Sequence, residues 1–325
     1  MTPEASLAVA AGAFCASLAA TPLAARLATH VGLLDRPGPL KPHTRATPYL
    51  GGLGVAAGVG LGAAVVMPWL LVPAGMALAL GTADDVRPLP PALRVLGELA
   101  IGLALAAVVS TRVGAAGYVL VPAATLALIN GFNLLDGLDA LCGAVALAAA
   151  IGFSALLTGD PRTLALALAA TMAAFLIFNR PPAKVYLGDG GAYLVAVVVT
   201  ALLACAWSPA QSRSTGIAAL AVVALPVVEV VLALFRRVRS GSSLVAGDRD
   251  HPYDVLVRSG WSIRRTVSAY MLAELAAVAL ALAASHLVDP FAWVLTALTA
   301  LGLLATGFRA ASAAPNHKPM GERST

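Results

Sequence analysis

Acidic and amide side chains are concentrated in three short stretches of a chain that is otherwise very apolar. Asp84 and Asp85 are adjacent, Asn133 and Asp136 lie in the segment NGFNLLDGLDALCG, and Asp189 lies in a Gly-Asp-Gly sequence. Carboxylate and amide oxygens are hard ligands that Mg²⁺ takes a few at a time, while water and substrate phosphate complete its octahedron. The three stretches together predict a divalent-cation site.

Basic residues and glycines accompany these oxygen ligands. Arg94, Arg180 and Lys184 belong to the same segments and offer positive charge to phosphate groups. Glycines flank Asp189 and allow the backbone to approach a ligand closely, and Gly137 is expected to permit a tight return of the chain. The combination predicts phosphoryl chemistry on a substrate that is partly lipid. The alternative is that these residues are solvated loop charges and helix caps.

The surroundings of these residues are those of a membrane protein. Of 325 residues, 59% are hydrophobic and 11% are charged, whereas soluble domains carry about 25% charged residues. Because about 20 apolar residues cross a bilayer, we predict an all-α, polytopic integral membrane protein with about eleven transmembrane helices. Residues 1–309 form one transmembrane domain in this prediction, and residues 310–325 form a disordered cytoplasmic tail. The predicted spans lie near residues 5–29, 51–68, 70–83, 94–111, 115–132, 140–158, 162–179, 191–208, 215–235, 265–287 and 291–309.

The basic residues predict the orientation of the chain. With eleven spans, alternate loops fall on the same side of the membrane, and one set of loops holds most of the Lys and Arg residues. The other set holds only Arg112, Arg162 and Arg213. The positive-inside rule therefore places the chemistry-bearing loops in the cytoplasm and the N-terminus outside, in a multi-pass plasma-membrane protein. A cationic face beside anionic lipid explains the pI of about 9.4 without a nucleic-acid partner.

Five motifs follow one another along the chain: DRPGPLKPHTRATPYLGG, ADDV, NGFNLLDGLDAL, PAKVYLGDGGAYL and PVVEVVLALFRR. In this order they resemble motifs of the polyprenyl-phosphate N-acetylhexosamine-1-phosphate transferases, which include the phospho-N-acetylmuramoyl-pentapeptide transferases. The first resembles the family's Asp-x-Pro, Lys-x-His and Gly-Gly pattern, the second its paired-aspartate loop, and the third its Asn-x-x-Asn-x-x-Asp-Gly motif. The resemblance covers nearly the whole chain.

The resemblance implies transfer of an N-acetylhexosamine 1-phosphate, GlcNAc 1-phosphate in the first instance, from a UDP-sugar to a membrane polyprenyl phosphate. UMP is released, and the active site is formed by cytoplasmic loops. The acceptor implied is undecaprenyl or decaprenyl phosphate within the lipid bilayer, and the family resemblance allows a homodimer. The implied cofactor is Mg²⁺, with Mn²⁺ as an alternative.

Individual roles follow from the same resemblance. The metal ligands that it implies are Asn133 and Asp189. The catalytic residues that it implies are Asp84, Asp85, Asp136 and Arg94. Asp84 is expected to orient the acceptor phosphate, because a phosphate monoester with a second pKa near 6 needs little help from a base. The substrate-binding residues that it implies are Lys41, His43, Asn130, Asp139, Lys184, Tyr186 and His251, with Tyr186 stacking on uracil and Asp139 bonding its edge.

A departure from the family pattern and two carboxylates inside predicted spans leave two other functions open. The segment HPYD, which begins at His251, stands where relatives carry His-x-His-His, and this allows a non-catalytic member of the same fold. Glu98 and Glu274 lie inside predicted spans, where a carboxylate is costly and is paired, water-lining or functional. These two residues motivate the other alternative, an ion-coupled membrane transporter, although the dense acidic cluster lies at the membrane surface and no internal repeat is evident.

Overall fold

The computed structural model describes residues 1–36, 46–241, 243 and 250–312. The described residues form a bundle of helices with one short two-stranded antiparallel sheet, in which Leu34 pairs with Pro48 and Asp35 with Thr47. The elements are α1 Pro3–His30, β1 Leu34–Asp35, β2 Thr47–Pro48, α2 Gly51–Val66, a 3₁₀ turn Pro68–Leu70, α3 Leu71–Val86, α4 Pro91–Val113, α5 Gly117–Leu135, α6 Leu141–Leu156, α7 Gly159–Asn179, α8 Gly188–Ala206, α9 Arg213–Val222, α10 Ala224–Ser240, α11 Pro252–Arg258, α12 Ile263–Ser285 and α13 Asp289–Ser312. The predicted all-α architecture is confirmed.

The helices have the length and composition of membrane spans. Within the described ranges, eight candidate spans are long and apolar enough to cross a bilayer, and the bent pair α9–α10 would make a ninth. Two further apolar helices, α2 and α6, have 16 residues each and fall short of the roughly 20 that cross a hydrocarbon core of ~30 Å. The protein is therefore a polytopic membrane protein, and the count of eleven spans stays a prediction.

One predicted span is interrupted. The apolar run near 215–235 was expected to be continuous, but α9 ends at Val222 and α10 begins at Ala224, with a bend of 52° between them. Pro226 accounts for the break, because a proline in a helix lacks an N–H donor and its ring clashes with the carbonyl four residues earlier, here that of Val222. The chain thus changes direction between α9 and α10.

The C-terminal boundary also differs from the prediction. Helix α13 continues to Ser312, so residues 310–312 are helical and do not belong to a tail that begins at 310. Alanines at 310 and 311 explain the extension, because alanine has the highest helix propensity. The rest of the predicted tail, residues 313–325, lies outside the described residues.

Helix α8 is the centre of the bundle. Every residue of this helix except Asp189 is buried, and α2, α3, α4, α5, α6, α7 and α9 all pack against it. Its sequence, GDGGAYLVAVVVTALLACA, supplies small and β-branched side chains, which let neighbouring helices approach closely within a membrane. The single exception, Asp189, stands in the first turn of the helix.

Glycines on two neighbouring helices meet the first turn of α8. A Cβ atom at Gly81 of α3 would overlap the backbone of Asp189 and Gly190, and one at Gly52 of α2 would lie 2.5 Å from the nitrogen of Gly191. Neither glycine has a left-handed backbone conformation, so it is the close helix contact that excludes a side chain. The position of Asp189 therefore depends on the absence of side chains on its neighbours.

This packing makes a stability prediction. We expect Gly81→Ala to destabilise the folded protein by about 1–3 kcal/mol, because the added methyl group must displace the backbone of α8. Gly75→Ala is the matched control, since Gly75 lies on the same helix with nothing within 4 Å of its would-be Cβ. Thermal unfolding in detergent, followed by size-exclusion chromatography, measures both variants. Equal melting temperatures for the two variants would contradict the close α3–α8 contact.

Candidate active site

Two aspartates from different helices accept hydrogen bonds from the first turn of α8. The Asp85 carboxylate, at the end of α3, accepts the backbone N–H groups of Asp189 at 3.0 Å and Gly190 at 3.2 Å. Asp136, directly after α5, accepts the N–H of Gly188 at 3.2 Å. The first N–H groups of a helix have no partner within the helix, and carboxylates are favoured there by the helix dipole. These bonds bring the loops after α3, α5 and α7 to one place.

Asp84 is fixed by a different set of donors. It is 7% exposed, and it accepts the N–H of Leu89 at 2.6 Å and a guanidinium N–H of Arg94 at 3.3 Å. The carboxyl group of Asp84 also interacts with that of Asp189. The buried Nε of Arg94 has no hydrogen-bond partner among the described residues. Two hydrogen bonds therefore fix the Asp84 carboxylate beside the Arg94 guanidinium, whose Nε–H can still donate to a ligand.

Negative charge accumulates around Asp136. Burial raises the pKa of this carboxyl group well above its usual range, and the neighbouring carboxylates of Asp189 and Asp85 raise it further. The hydrogen bond from Gly188 acts in the opposite direction. Asp84 interacts with Asp85 and Asp189, so the four carboxylates form one cluster, and the guanidinium of Arg94 interacts with Asp84 and Asp189. Such a cluster repels itself unless protons or a cation offset its charge.

The two asparagines of NGFNLLDGLDALCG have different surroundings. Asn130 donates its side-chain amide to Glu98 Oε2 at 2.8 Å and to the carbonyl of Leu126 at 2.9 Å. The predicted substrate-binding residue Asn130 is thus engaged within the bundle, where it pairs with the buried Glu98. Asn133, one turn closer to the end of α5, has no hydrogen-bonding partner for its side chain among the described residues. Of the two, Asn133 is the one whose side chain remains available to a ligand.

Asn179, at the end of α7, joins the loops that form the site. It is 3% exposed, its side-chain oxygen accepts the N–H of Ala140 at 3.0 Å, and its amide donates to the carbonyl of Val185 at 2.8 Å. Asp139 adds a second link, because its carboxylate accepts the N–H of Ala183 at 2.9 Å. These bonds hold the turn after α5 against the segment 180–187 that leads into α8.

The turn after α5 corrects one expectation about glycine. Gly137 was expected to supply the tight return, but its φ lies outside the left-handed region. The left-handed residue is Ala140, with φ of 65°, which costs a non-glycine residue free energy. The hydrogen bond from the Ala140 N–H to Asn179 helps to hold this conformation.

Tyr186 lies at the meeting point of the first loop and the segment before α8. Its backbone N–H donates to the carbonyl of Pro48, and its carbonyl accepts the N–H of Gly51, each at 2.9 Å. Its ring contacts Tyr49, with centroids 6.0 Å apart. Burial raises the pKa of Tyr186 to about 12, and the nearby Asp139 and Asp35 raise it further. Tyr186 is therefore a neutral, half-buried aromatic beside the acidic cluster.

Lys184 lines a cavity beside the same segment. The cavity has a volume of about 800 Å³, and Arg180, Lys184 and Arg264 line it together with apolar side chains of α6, α7 and α12. Ala140 also lines it, which places the cavity next to Asp139. Among the described residues that line it, none is acidic, so it is suited to an anionic or amphipathic group.

His251 belongs to a buried network rather than to an open loop. Its Nδ1 lies 3.4 Å from Glu229 Oε2 on α10 and 3.4 Å from a guanidinium nitrogen of Arg236. Glu229 also accepts the hydroxyl of Tyr270 at 2.7 Å. The ring of His251 stacks on Tyr253, with centroids 5.2 Å apart. The other predicted substrate-binding residues, Lys41 and His43, lie outside the described residues.

The donor set suits a divalent cation that keeps water and substrate ligands. Within the described ranges, no group of three His, Cys, Asp or Glu side chains has the arrangement of an all-protein metal site. Mg²⁺ does not require one, since it is commonly held by one or two carboxylates and completed by water and phosphate. The excess of carboxylates around Asp189 and the unpartnered amide of Asn133 therefore fit such an ion.

Several residues that shape the site were not predicted from the sequence. Asp35, Tyr49 and Asn179 lie in or beside the motifs, but none was assigned a role. Asp35 interacts electrostatically with both Tyr49 and Tyr186. Their positions in or beside the motifs were the only sign of a role that the sequence offered. Their contacts could not be predicted, because the partner residues are far away in the sequence.

Comparison with known proteins gives a consistent result. The family model described as glycosyl transferase family 4 matches residues 67–207, a range that includes the loops after α3, α5 and α7. An undecaprenyl-phosphate alpha-N-acetylglucosaminyl 1-phosphate transferase of Yersinia pestis is 28% identical, covering 91% of this chain and 88% of the relative. A probable undecaprenyl-phosphate N-acetylglucosaminyl 1-phosphate transferase of Bacillus subtilis is 27% identical, covering 76% of each chain.

The family model covers the loops after α3, α5 and α7 that the fold brings together. The chain is therefore similar to glycosyl transferase family 4 over the range that carries the candidate site, and to undecaprenyl-phosphate N-acetylglucosaminyl 1-phosphate transferases over most of its length.

Proposed function

We propose that the protein transfers N-acetylglucosamine 1-phosphate from UDP-GlcNAc to undecaprenyl phosphate, or a polyprenyl phosphate of similar length, and releases UMP. The observation that carries this proposal is the convergence of the paired aspartates, Asp136 and Asp189 on the first turn of α8. The relatives named above, which act on undecaprenyl phosphate by name, support the acceptor and the sugar. The product would initiate synthesis of a cell-envelope glycan.

The proposed reaction is a phosphoryl transfer with a simple balance. An oxygen of the acceptor phosphate forms a bond to the β-phosphorus of the UDP-sugar, and the bond from that phosphorus to the bridging oxygen breaks. The electron pair of the broken bond leaves with UMP. Because both reactants are anionic, the site must offset their mutual repulsion and align the reacting oxygen.

In this proposal each residue of the cluster has its own role. Asp84, held by Leu89 and Arg94, orients the acceptor, and Arg94 offers its unused Nε donor to phosphate. Asp85 and Asp136 hold the first turn of α8 and thereby fix Asp189. Asn133 and Asp189 would hold Mg²⁺, or Mn²⁺ as an alternative. When bound, such an ion offsets charge on the donor's phosphates and on the leaving UMP.

The donor nucleotide is assigned to the region between the turn after α5 and the segment 180–187. Tyr186 offers an aromatic face for uracil, and Asp139 lies close enough to Tyr186 to affect its pKa. Arg180 and Lys184 supply positive charge from the adjoining cavity. Lys41, His43 and His251 are retained as substrate-binding residues in this proposal.

The membrane arrangement follows the charge asymmetry of the sequence. We place the acidic end of the bundle at the cytoplasmic face of the plasma membrane. The positive-inside rule favours this orientation, and the UDP-sugar donor would be supplied from the cytoplasm. The N-terminus is then outside. The acceptor's phosphate reaches the cluster from the bilayer surface while its hydrocarbon chain stays in lipid, and a homodimer is the proposed assembly.

A panel of nucleotide sugars tests the proposed activity. Purified protein with undecaprenyl phosphate and Mg²⁺ should release UMP from UDP-GlcNAc faster than from UDP-GalNAc or UDP-glucose. Chelation of divalent ions should abolish release, because the uncompensated carboxylates repel the donor's phosphates. Absence of UMP release with every UDP-sugar would favour the non-catalytic alternative. Ion uptake by proteoliposomes without UMP release would favour the transporter.

The sharpest variant is Asp189→Asn, which keeps the size of the side chain but removes one negative charge. We expect turnover to fall about 10²–10³-fold, as for loss of other charge-stabilising groups in active sites. Asp160→Asn is the matched control, because Asp160 lies in the first turn of α7 and its side chain is 54% exposed. Turnover across a Mg²⁺ titration is the measurement. If Asp189→Asn keeps activity within threefold of the control, its loss is far smaller than the ~10²-fold expected. That result would contradict the assignment of Asp189 as a metal ligand.

A further inference from the structure

Tyr253 links the last loop of the site to the turn after α5. It belongs to the short helix α11, in the segment HPYD, and it is buried. Its hydroxyl donates a hydrogen bond of 2.8 Å to the backbone carbonyl of Leu134, 119 positions earlier in the chain. Leu134 lies between Asn133 and Asp136, two of the residues that this stretch contributes to the candidate active site. The contact therefore reaches the backbone that carries them.

The other side of Tyr253 is anchored to the bundle. Its ring stacks on His251 with an interplanar angle of 5°, and it packs edge-on against Tyr270 of α12. His251 and Tyr270 both contact Glu229 of α10. These contacts with residues of α10 and α12 fix the position of the Tyr253 ring, and therefore the position of the hydroxyl that binds Leu134.

Gly137 is matched to the same hydroxyl. A Cβ atom at Gly137 would overlap the Tyr253 hydroxyl oxygen and lie 3.1 Å from Cζ of the ring. Because Gly137 does not adopt a left-handed conformation, its own backbone does not demand glycine. The hydroxyl of Tyr253 thus occupies the space that a side chain at 137 would need. It restrains the turn both through its hydrogen bond to Leu134 and through its contact with Gly137.

We infer that Tyr253 is a positioning residue for the acidic cluster, which acts through Leu134 and Gly137 on the placement of Asn133 and Asp136. This inference rests on the proposed function, because it assigns those two residues to the reaction. It also gives a purpose to the tyrosine of HPYD. The segment holds the turn after α5 against α10 and α12, so it serves the active site without its tyrosine touching substrate.

The first test is Tyr253→Phe, which keeps the stacked ring and removes the hydrogen bond to Leu134. We expect kcat to fall about fivefold to tenfold, the equivalent of one buried hydrogen bond, while KM for UDP-GlcNAc changes less than twofold. Amide hydrogen exchange of residues 134–140 should become faster in the same variant. Tyr118→Phe is the matched control, since Tyr118 lies near the other end of α5 and is exposed.

The second test exploits the match between Gly137 and the hydroxyl. Gly137→Ala should lower kcat strongly in the wild-type background, because its methyl group overlaps the hydroxyl oxygen. In the Tyr253→Phe background the oxygen is gone, so the added methyl group should cost less. The double variant is therefore expected to be more active than Gly137→Ala alone, with exchange of residues 134–140 closer to wild type.

The outcomes separate this inference from the proposed function. Normal kcat and normal exchange in Tyr253→Phe would overturn it, as would an equal effect of Gly137→Ala in both backgrounds. A fall in kcat that only matches a loss of folded protein, measured by size-exclusion chromatography, would also overturn it. If wild type releases no UMP, the proposed function fails, whereas unchanged exchange in Tyr253→Phe refutes the link itself.

Discussion

The buried first turn of α8 is the constraint on which the rest of the structure depends. Its N–H groups cannot be satisfied within the helix, and this end of α8 is enclosed by protein rather than by water. Asp85 and Asp136 supply the acceptors, so the loops after α3 and α5 must come to this point. The glycines at 52 and 81 leave the space that this close approach requires. Asp189 is then the one residue of α8 that is not buried.

This arrangement explains how loops from different parts of the chain can present a fixed cluster of charge. Asp85 and Asp136 are engaged with backbone donors, Asp84 with Leu89 and Arg94, and the turn after α5 with Asn179. Because these carboxylates are already held, little reorganisation remains when an anionic substrate arrives, which is the condition for strong electrostatic stabilisation. The cost is mutual repulsion among carboxylates in a poorly solvated place. A divalent ion and the phosphates of two substrates would offset that cost together.

Sequence reasoning predicted the features that depend on local composition. The apolar runs indicated the helices, and the residue types in the three polar stretches indicated a cluster that includes Asp84, Asp136 and Asp189. It did not predict that Asn130 pairs with Glu98, because the two residues come together only when α4 packs on α5. The break at Val223 was missed because the apolar pattern continues through Pro226. Ala140 in the left-handed conformation could not be foreseen either, since its compensating partner, Asn179, is 39 positions away.

The central claim is that Asp189, fixed by the first turn of α8, holds a divalent cation in the presence of nucleotide. Its most direct test is the affinity for Mn²⁺ of purified protein with UDP, measured by electron paramagnetic resonance for wild type, Asp189→Asn and Asp160→Asn. Loss of even a supporting residue costs metal sites about 10–100-fold in affinity, so Asp189→Asn should bind at least about tenfold more weakly. Asp160→Asn should match wild type. Equal Mn²⁺ affinity in all three folded proteins would contradict the claim.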